Sequence, residues 1–455
     1  MTIFAATLPL EALRMIVSEA ATEEEGDDEE KVIMLNDVAR AFFEAMATRD
    51  LCVEIPAEDK TKTDEEDDNV ALLEKSLYGT RDAALNFQQE VKRFMRSTGF
   101  HVGGYNVCTY NHPGRKMKTM VHGDDFVTVG KRRDVKWLES KMKERFEIKT
   151  TIIGNGKEDC KEGKVLNRII RRNESGWEYE ADQRHAELIV KTLKLEESKS
   201  VSTAGEDEKE WLVEENEEKL EHAQAREYRA LAARANYLAA DRGDIQYATK
   251  EICRGMSSPT RGDWRKLKRL GRYLKGKPRV VSKYEFQTRQ KVAWGFSDSD
   301  WAGCRKTAKS TSGGVLMIGN HVIKTWSSTQ KSVTLSSGEA ELIAAVKTCA
   351  ELIGISQLAR DWGMELAGKV YVDSSAAIGV AHRRGNGKLR HVRVGLLWIQ
   401  ELVEEGTVDV VKVAGDDNPA DLMTKNVNEA KVNKFMEIMN KEFRSGKAKA
   451  GLDLK

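Results

Sequence analysis

Two groups of carboxylates have a spacing that allows chemistry. In VHGDDFVTVG (121–130), Asp124 and Asp125 follow Gly123 between two hydrophobic runs, a pattern that predicts a β-hairpin with both acids at its turn. Adjacent like charges repel. Two readings fit this decapeptide by itself: a solvated turn, in which Gly and Asp are ordinary residues, or a site for a hard divalent cation, which prefers carboxylate oxygens. The second group lies further along the chain. Asp298 sits on a strand in GFSDSDWAG, Glu341 in the first turns of a helix in SSGEAELIAA, Asp373 at a strand end in VYVDSS, and Asp421 at the start of the last helix in DDNPADLMTK. Strand ends and helix starts are where side chains converge at the rim of an α/β sheet. Four carboxylates meeting there repel unless they hold metal. Two ions about 4 Å apart would then activate water and stabilise the leaving oxygen in phosphodiester cleavage.

Neighbouring acids have simpler uses. Glu339 stands three residues after Ser336, the S-x-x-E pattern of a capping box, which leaves Glu341 as the metal candidate. Asp300 shares a strand face with Asp298, so periodicity does not separate them. Asp416 and Asp417 fit a turn or a helix N-cap, and Asp373 before Ser374-Ser375 fits an N-cap as well as a ligand.

Elements must carry these residues to one place. Residues 31–56 read as a strand (KVIMLND), a helix (VARAFFEAMATRD) and a strand (LCVEIP). Residues 70–98 read as helical with a break at Tyr78-Gly79, 105–130 as the hairpin, 134–147 as a helix, and 165–181 as a second hairpin around Asn173-Glu174-Ser175-Gly176. Residues 196–224 are polar and acidic and serve as a linker, and 225–276 are helical. From 291 the strands KVAWGFSDSD, GGVLMIG and HVIKTWSS read as three antiparallel strands, followed by helices alternating with KVYVDS and TVDVVKVAG, which predicts a mixed sheet covered by helices. The acidic runs beginning at 23 and 59 read as disordered insertions.

Length and composition set the bounds. A chain of 455 residues suggests about two to four domains. Hydrophobic residues make up 40%, enough to build cores, and no apolar run approaches the roughly 20 residues that span a bilayer. The N-terminus lacks a basic segment ahead of its apolar part, so it does not read as a secretory signal, and Leu10, Leu13 and Val17 have amphipathic-helix spacing. Six scattered cysteines without a C-x-x-C pair argue against zinc fingers and disulfide scaffolds. Net charge is only +1, but it is segregated. Basic stretches at 130–149 and 261–279, the latter with Lys266 and Arg269 beside Trp264 and Tyr273, fit either phosphate neutralisation or a solvated helix face.

Beyond these patterns, the stretch from GFSDSDWAG to SSGEAELIAA resembles the ribonuclease H domain of copia-type LTR retrotransposon Pol polyproteins, and YVDSSAAIGVAH, RHVRVGLLWIQELVEEG and VKVAGDDNPADLMTK continue the likeness in order. YRALAARANYLAADRGDIQYATKEICRGMSSPTRGDWRKLKRLGRYLKGK resembles the connecting region of the same proteins. MLNDVARAFFEA, SLYGTRDAALNFQQEV and VHGDDFVTVG resemble reverse transcriptase motifs, and the colinear match runs over about residues 31–440. The resemblance implies an α+β chain: a reverse transcriptase palm-type domain, then an α/β ribonuclease H-like domain with a five-stranded mixed sheet. The implied domains are 1–195 (partial fingers, palm and start of thumb), 196–285 (linker and helical connection), 286–430 (ribonuclease H-like) and 431–455 (basic helical tail).

The same resemblance implies roles. Asp37, Asp124 and Asp125 match the polymerase carboxylates, with Asp124 the fuller ligand of the pair. Asp298, Glu341, Asp373 and Asp421 match the nuclease metal set, and His391 a recurrent histidine. The ions would be Mg²⁺ or Mn²⁺. Phe42 matches the aromatic that excludes a ribose 2′-hydroxyl, and Tyr78, Gly79 and Arg81 lie in the motif against template and nucleotide. Implied partners are an RNA–DNA hybrid, an RNA template with a DNA primer, deoxynucleoside triphosphates and other polyprotein segments, but no membrane. The implied location is a cytoplasmic virus-like particle or the nucleus, not the secretory route.

The sequence also departs from the family. Only 36 residues precede Asp37, where a longer fingers region with basic residues is usual. Arg14 is the only basic residue before Lys31, and EEEGDDEE intervenes, the wrong charge beside a triphosphate. His122 precedes Gly123 where apolar residues are usual, Asp82 replaces an uncharged amide, and Asn86 replaces a Trp. No zinc knuckle, protease or integrase segment is seen. The expectation is therefore a C-terminal polyprotein piece, or a decayed copy. Three functional readings follow: polymerase plus ribonuclease H, ribonuclease H alone, or a silent remnant that binds nucleic acid.

Overall fold

The computed structural model describes the chain except residues 1–4, 25, 27–28, 208–216, 305, 388–390 and 452–455. Parts of the first acidic run, of the acidic linker and of the C-terminal tail therefore lie outside the described residues. Two units are distinguished. The first comprises Met1–Ala20, Asp28–Cys160 and Gln357–Met364; the second comprises Ala21–Asp27, Lys161–Ser356 and Glu365–Lys455.

The first unit opens with helix α1 (Leu10–Ala20). Amphipathic spacing predicts one buried face, but every residue from Ala12 to Ala20 is buried. Charged members are accommodated by pairing: the Glu19 carboxylate lies 2.7 Å from Lys31 Nζ and 3.0 Å from Lys118 Nζ. Then follow β1 (Lys31–Val38), α2 (Ala83–Ser97), β2 (His101–Val102), β3 (Thr109–His112), β4 (Met117–His122), β5 (Asp125–Lys131), α3 (Arg132–Arg145) and β6 (Ile148–Ile153). The strands form one sheet in the order β2-β3-β4-β5-β1-β6, every pair antiparallel. Alternation along β1 turns Val32, Met34 and Val38 to one face, where they meet Val91 and Phe94 of α2 and Val135, Leu138 and Met142 of α3. Helix α1 packs against β4, β5 and β1.

Between β1 and α2 the structure differs from the sequence reading. The helix expected after Asp37 is a single 3₁₀ turn, Ala41–Glu44, entered through Arg40 in the left-handed region at φ 52°. A left-handed residue interrupts α-helical backbone. Residues 70–82 are not helical: Val70–Leu72 pairs with Cys52–Glu54, and the helix starts at Ala83. In the second acidic run, read as disordered, Lys62–Glu66 forms a short helix closed by a capping box between Thr61 and Asp64.

The second unit runs through β7 (Glu162–Val165), β8 (Arg168–Asn173), β9 (Gly176–Glu180), α4 (Arg184–Thr192), α5 (His222–Ala239), α6 (Gln246–Arg254), α7 (Arg261–Gly276) and β10 (Arg279–Glu285). It continues with β11 (Val292–Asp300), β12 (Thr311–Ile318), β13 (His321–Thr329), α8 (Ser337–Asp361), β14 (Ala367–Val372), α9 (Ser375–Ala381), α10 (Trp398–Glu404), β15 (Val408–Lys412), α11 (Glu429–Ile438) and β16 (Lys441–Arg444). The last five residues of α8 and the turn after it group with the first unit. One sheet has the order β7-β8-β9-β10-β16. This pairing is why the division falls after Cys160 rather than at 195. It also places a strand, Lys441–Arg444, paired with β10 in the segment read as a helical tail.

The other sheet has the order β13-β12-β11-β14-β15. β11, β12 and β13 pair antiparallel, and β14 runs parallel to both β11 and β15. This is the expected five-stranded mixed sheet. Parallel neighbours need a crossover, and α8 supplies the one between the meander and β14. Among the described helices α8 is long and apolar enough to cross a membrane, yet half of the relevant window is buried and Glu341 projects from it into the unit. Two glycines allow close layers on β12. A Cβ on Gly313 would stand 2.6 Å from Met423 Cβ and 3.0 Å from the Ala420 carbonyl oxygen, and a Cβ on Gly314 would meet the Trp326 ring.

Candidate metal centres

The sheet β13-β12-β11-β14-β15 delivers three carboxylates to one point. Asp298 lies near the end of β11, Glu341 in the second turn of α8, and Asp373 one residue past β14. One oxygen from each falls within 4.8 Å of the others. Asp298 and Glu341 are buried, Asp373 partly so. Glu341 Oε1 accepts a hydrogen bond from the Ser299 amide at 3.1 Å, while its Oε2 is buried with no partner. Thr424 donates its hydroxyl proton to Asp298 Oδ2. An orphaned, buried carboxylate oxygen on a member of an acidic cluster fits a hard cation, which would complete its coordination.

Electrostatics fit the same reading. Burial, then the charges of Asp298 and Asp373, pushes the Glu341 carboxyl up to about 9. Burial raises Asp298 and Asp373 as well, and the Asp421 charge adds to both. Like charges in low dielectric favour protonation unless a cation intervenes.

The fourth residue, Asp421, stands apart from the trio. It lies in the 3₁₀ turn Pro419–Met423, not in an α-helix as expected, and it is buried. Asn418 sets this turn: its side chain accepts from the Ala420 amide at 3.2 Å and donates to the Ser297 carbonyl at 2.9 Å. The Asp421 carboxylate pairs with Lys425 Nζ at 2.7 Å. Sequence reading missed Lys425, Thr424 and Asn418. The four-residue spacing of Asp421 and Lys425, a one-turn ion-pair distance, was the available signal for the first.

The competing assignments resolve by contact. Asp300 accepts from the Thr311 amide across the β11–β12 edge, which leaves Asp298 to the cluster. Ser374, not Asp373, caps α9 by accepting from the Ala377 amide at 3.3 Å. Asp416 and Asp417 pair with Lys431 and Lys434. Ser336 Oγ accepts from the Glu339 amide, and Glu339 Oε2 accepts from the Leu335 amide at 2.8 Å rather than closing on Ser336. The same oxygen lies 3.2 Å from His391 Nε2, so His391 meets Glu339 and not the metal trio. Trp301, Val333 and Leu335, which follow β11 or precede α8, are exposed apolar residues.

In the first unit the hairpin forms as predicted. Gly123, at φ 64°, takes the first position of a two-residue loop between β4 and β5. Asp125 pairs in register with Asp37 on β1 and with His122 on β4. Directly opposed residues share a face, so Asp37 and Asp125 project together. Burial, then the charges of Asp124 and Asp37, pushes the Asp125 carboxyl up to about 6. Among the described residues the tight group of three is that of the second unit; Asp37, Asp124 and Asp125 are spread more widely.

The remaining candidates are placed as follows. The Phe42 ring lies 4.4 Å from that of Tyr78 and also faces Phe87. Tyr78 is half-exposed, Gly79 has φ 92°, and Arg81 is exposed. Both departures at the start of α2 have partners: Asp82 receives two hydrogen bonds from Arg49, at 2.8 and 2.9 Å, and Asn86 receives one from Thr48 and gives one to Ser76. The Arg49 guanidinium holds the Asp82 carboxyl well below the usual range. On α7, Lys266 lies 3.8 Å from Asp263, and Arg269 is engaged with Glu206 and Thr203 at 2.8 Å each.

No protein-family model matches the chain. The retrovirus-related Pol polyprotein from transposon TNT 1-94 of Nicotiana tabacum is 26% identical over 381 residues, covering 81% of this chain and 28% of the polyprotein. The corresponding polyprotein from transposon RE2 of Arabidopsis thaliana is 27% identical over 398 residues, covering 86% and 26%. The chain thus spans about a quarter of the length of these curated relatives. A foamy viral protease-reverse transcriptase, solved in complex with an RNA/DNA hybrid, matches with a TM-score of 0.50 at 10% identity, over 90% of this chain and 46% of that one. The likeness is one of fold: the chain is α+β and reverse-transcriptase-like, with a ribonuclease H-like region built on the five-stranded mixed sheet.

Proposed function

Because the chain is a homologue of the copia-type Pol polyproteins over most of its length, we propose that it is the reverse transcriptase/ribonuclease H portion of such a polyprotein, and that its second unit cleaves the RNA strand of an RNA–DNA hybrid. The observation that carries this reading is the convergence of Asp298, Glu341 and Asp373 with a buried, partnerless Glu341 oxygen. These three residues would hold the Mg²⁺ or Mn²⁺, with Asp421 as the fourth member of a two-ion set. When bound, the ions supply Lewis-acid activation of the attacking water and neutralise charge at the leaving oxygen. Ser299 and Thr424 keep Glu341 and Asp298 oriented through their hydrogen bonds. His391 is a hybrid contact held by Glu339. Lys266 and Arg269 on α7 meet backbone phosphates.

The register of Asp37 with Asp125 supports a second activity in the first unit, RNA-directed DNA synthesis. There Asp37, Asp124 and Asp125 would be the acidic floor on which the primer terminus and a deoxynucleoside triphosphate meet. Phe42 would check the sugar, and Tyr78, Gly79 and Arg81 would lie against the template. Partners in this reading are the RNA template, the DNA primer, the triphosphates and other polyprotein segments, within a cytoplasmic particle or the nucleus.

Cleavage of an end-labelled RNA–DNA hybrid by the purified chain with Mg²⁺ or Mn²⁺ tests the nuclease. The RNA strand is expected to be cut, and Asp373→Asn to lower the rate by at least about 100-fold while hybrid binding persists. A folded protein that binds hybrid and cuts nothing would establish the silent-remnant reading instead. Nucleotide incorporation on a primed RNA template separates the bifunctional enzyme from a nuclease alone.

A further inference from the structure

The fourth carboxylate of the nuclease set is already occupied. Asp421 Oδ1 lies 2.7 Å from Lys425 Nζ, and Oδ2 lies 4.0 Å from Lys431 Nζ. Lys425 Nζ also stands 4.0 Å from Asp298 Oδ2. Asp298, Glu341 and Asp373 meanwhile converge within 4.8 Å without Asp421. The ammonium therefore stands between Asp298 and Asp421, on the side where a second cation shared by those two residues would have to sit.

An ammonium and a divalent ion are drawn to the same oxygens and exclude one another from the same space. The local chain fixes this geometry. Asp421 and Lys425 are four residues apart across one turn, and Thr424 between them donates its hydroxyl to Asp298. The turn is in turn held by Asn418 on the Ser297 carbonyl. The Lys425 side chain is half-exposed, at 48%, so it has room to leave Asp421 for solvent without disturbing the core.

We propose that Lys425 is a positioning residue that keeps the second cation seat closed. The trio Asp298, Glu341 and Asp373 takes one divalent ion, and a second ion enters only as Lys425 releases Asp421. This rests on the metal-dependent nuclease reading, and it makes the two seats unequal by construction.

Calorimetric titration of the full chain with Mn²⁺, together with the electron paramagnetic resonance signal of free Mn²⁺, reads the number and strength of the sites. The wild type is expected to show one tighter and one weaker site. Lys425→Met should tighten the weaker site by at least about tenfold, because a competing unit charge within contact distance is removed, and leave the tighter site nearly unchanged. Lys425→Gln provides a second neutral variant should the first fold poorly, and Lys425→Arg should keep the wild-type pattern. Two equal sites in the wild type, no tightening in either neutral variant, or an arginine variant that behaves as the neutral ones would each overturn the proposal. If neither the wild type nor the neutral variants bind Mn²⁺, and the hybrid remains uncut, the metal reading itself fails; retained cleavage with unchanged site strengths defeats the Lys425 role alone.

Discussion

Glu341 is where burial and charge act most strongly on one group. In the folded chain its carboxyl keeps a proton up to about pH 9, against an ordinary value of 4.5. Between those values the folded state binds a proton that the unfolded state has lost, so metal-free stability falls as pH rises through the window. A bound cation reverses this, since ligating carboxylates must be ionised. The rise in Tm on adding Mn²⁺ should therefore be larger at about pH 8.5 than at about pH 6, and a rise independent of pH would contradict the assignment of Glu341 as a ligand. The convergence of Asp298, Glu341 and Asp373 was legible because each falls near a strand end or a helix start, where side chains of such a sheet meet. Its finer distinctions were not. Asp298 and Asp300 share a face, and only the Thr311 amide, brought close by β12, separates them. Lys425 was invisible as a participant because a lysine beside an acid also describes an ordinary surface pair.

Element packing explains why the site depends on a residue with no side chain. Gly313 lets the Pro419–Met423 turn lie directly on β12. Gly313→Ala should push this turn away from β11, destabilising the unit by about 1–3 kcal/mol as other overpacked contacts do. Circular-dichroism melting and hybrid cleavage together should show both losses; full cleavage in a stable variant would mean that the turn need not sit there. The strands of the mixed sheet were readable because each is a run of alternating or continuous apolar residues bounded by turn residues. The helix expected at 38–50 failed for a local reason, the left-handed Arg40, and for a non-local one, the Met46–Lys75 bridge. α1 was readable as a helix but not as one buried all round. Its Glu19 is matched by Lys31 and Lys118, and the second of those lies far along the chain.

At the scale of the whole chain, a net charge of +1 conceals the basic stretch on α7. Hybrid affinity should fall linearly on a log scale with salt, and Lys266→Ala and Arg269→Ala should each reduce the slope by up to about 1. A slope unchanged by both substitutions in filter-binding titrations would argue that α7 is not the phosphate-facing helix. The unit boundary was the least legible feature. β7, β8 and β9 look like part of the preceding hairpins until β10 pairs with β9, with Arg279 reaching Glu180 across 99 residues. β16 then closes the far edge, where Arg444 reaches Glu178 across 266 residues. Synthesis order gives that last strand a further meaning. A nascent chain carries β7–β9 long before their partners emerge, and the pairing edge of β10 stays uncovered until residues 441–444 clear the ribosome. Completion of this sheet thus waits on a strand made late, and a chain interrupted before residue 441 would present an open, adhesive edge while the strands of the five-stranded mixed sheet are already made.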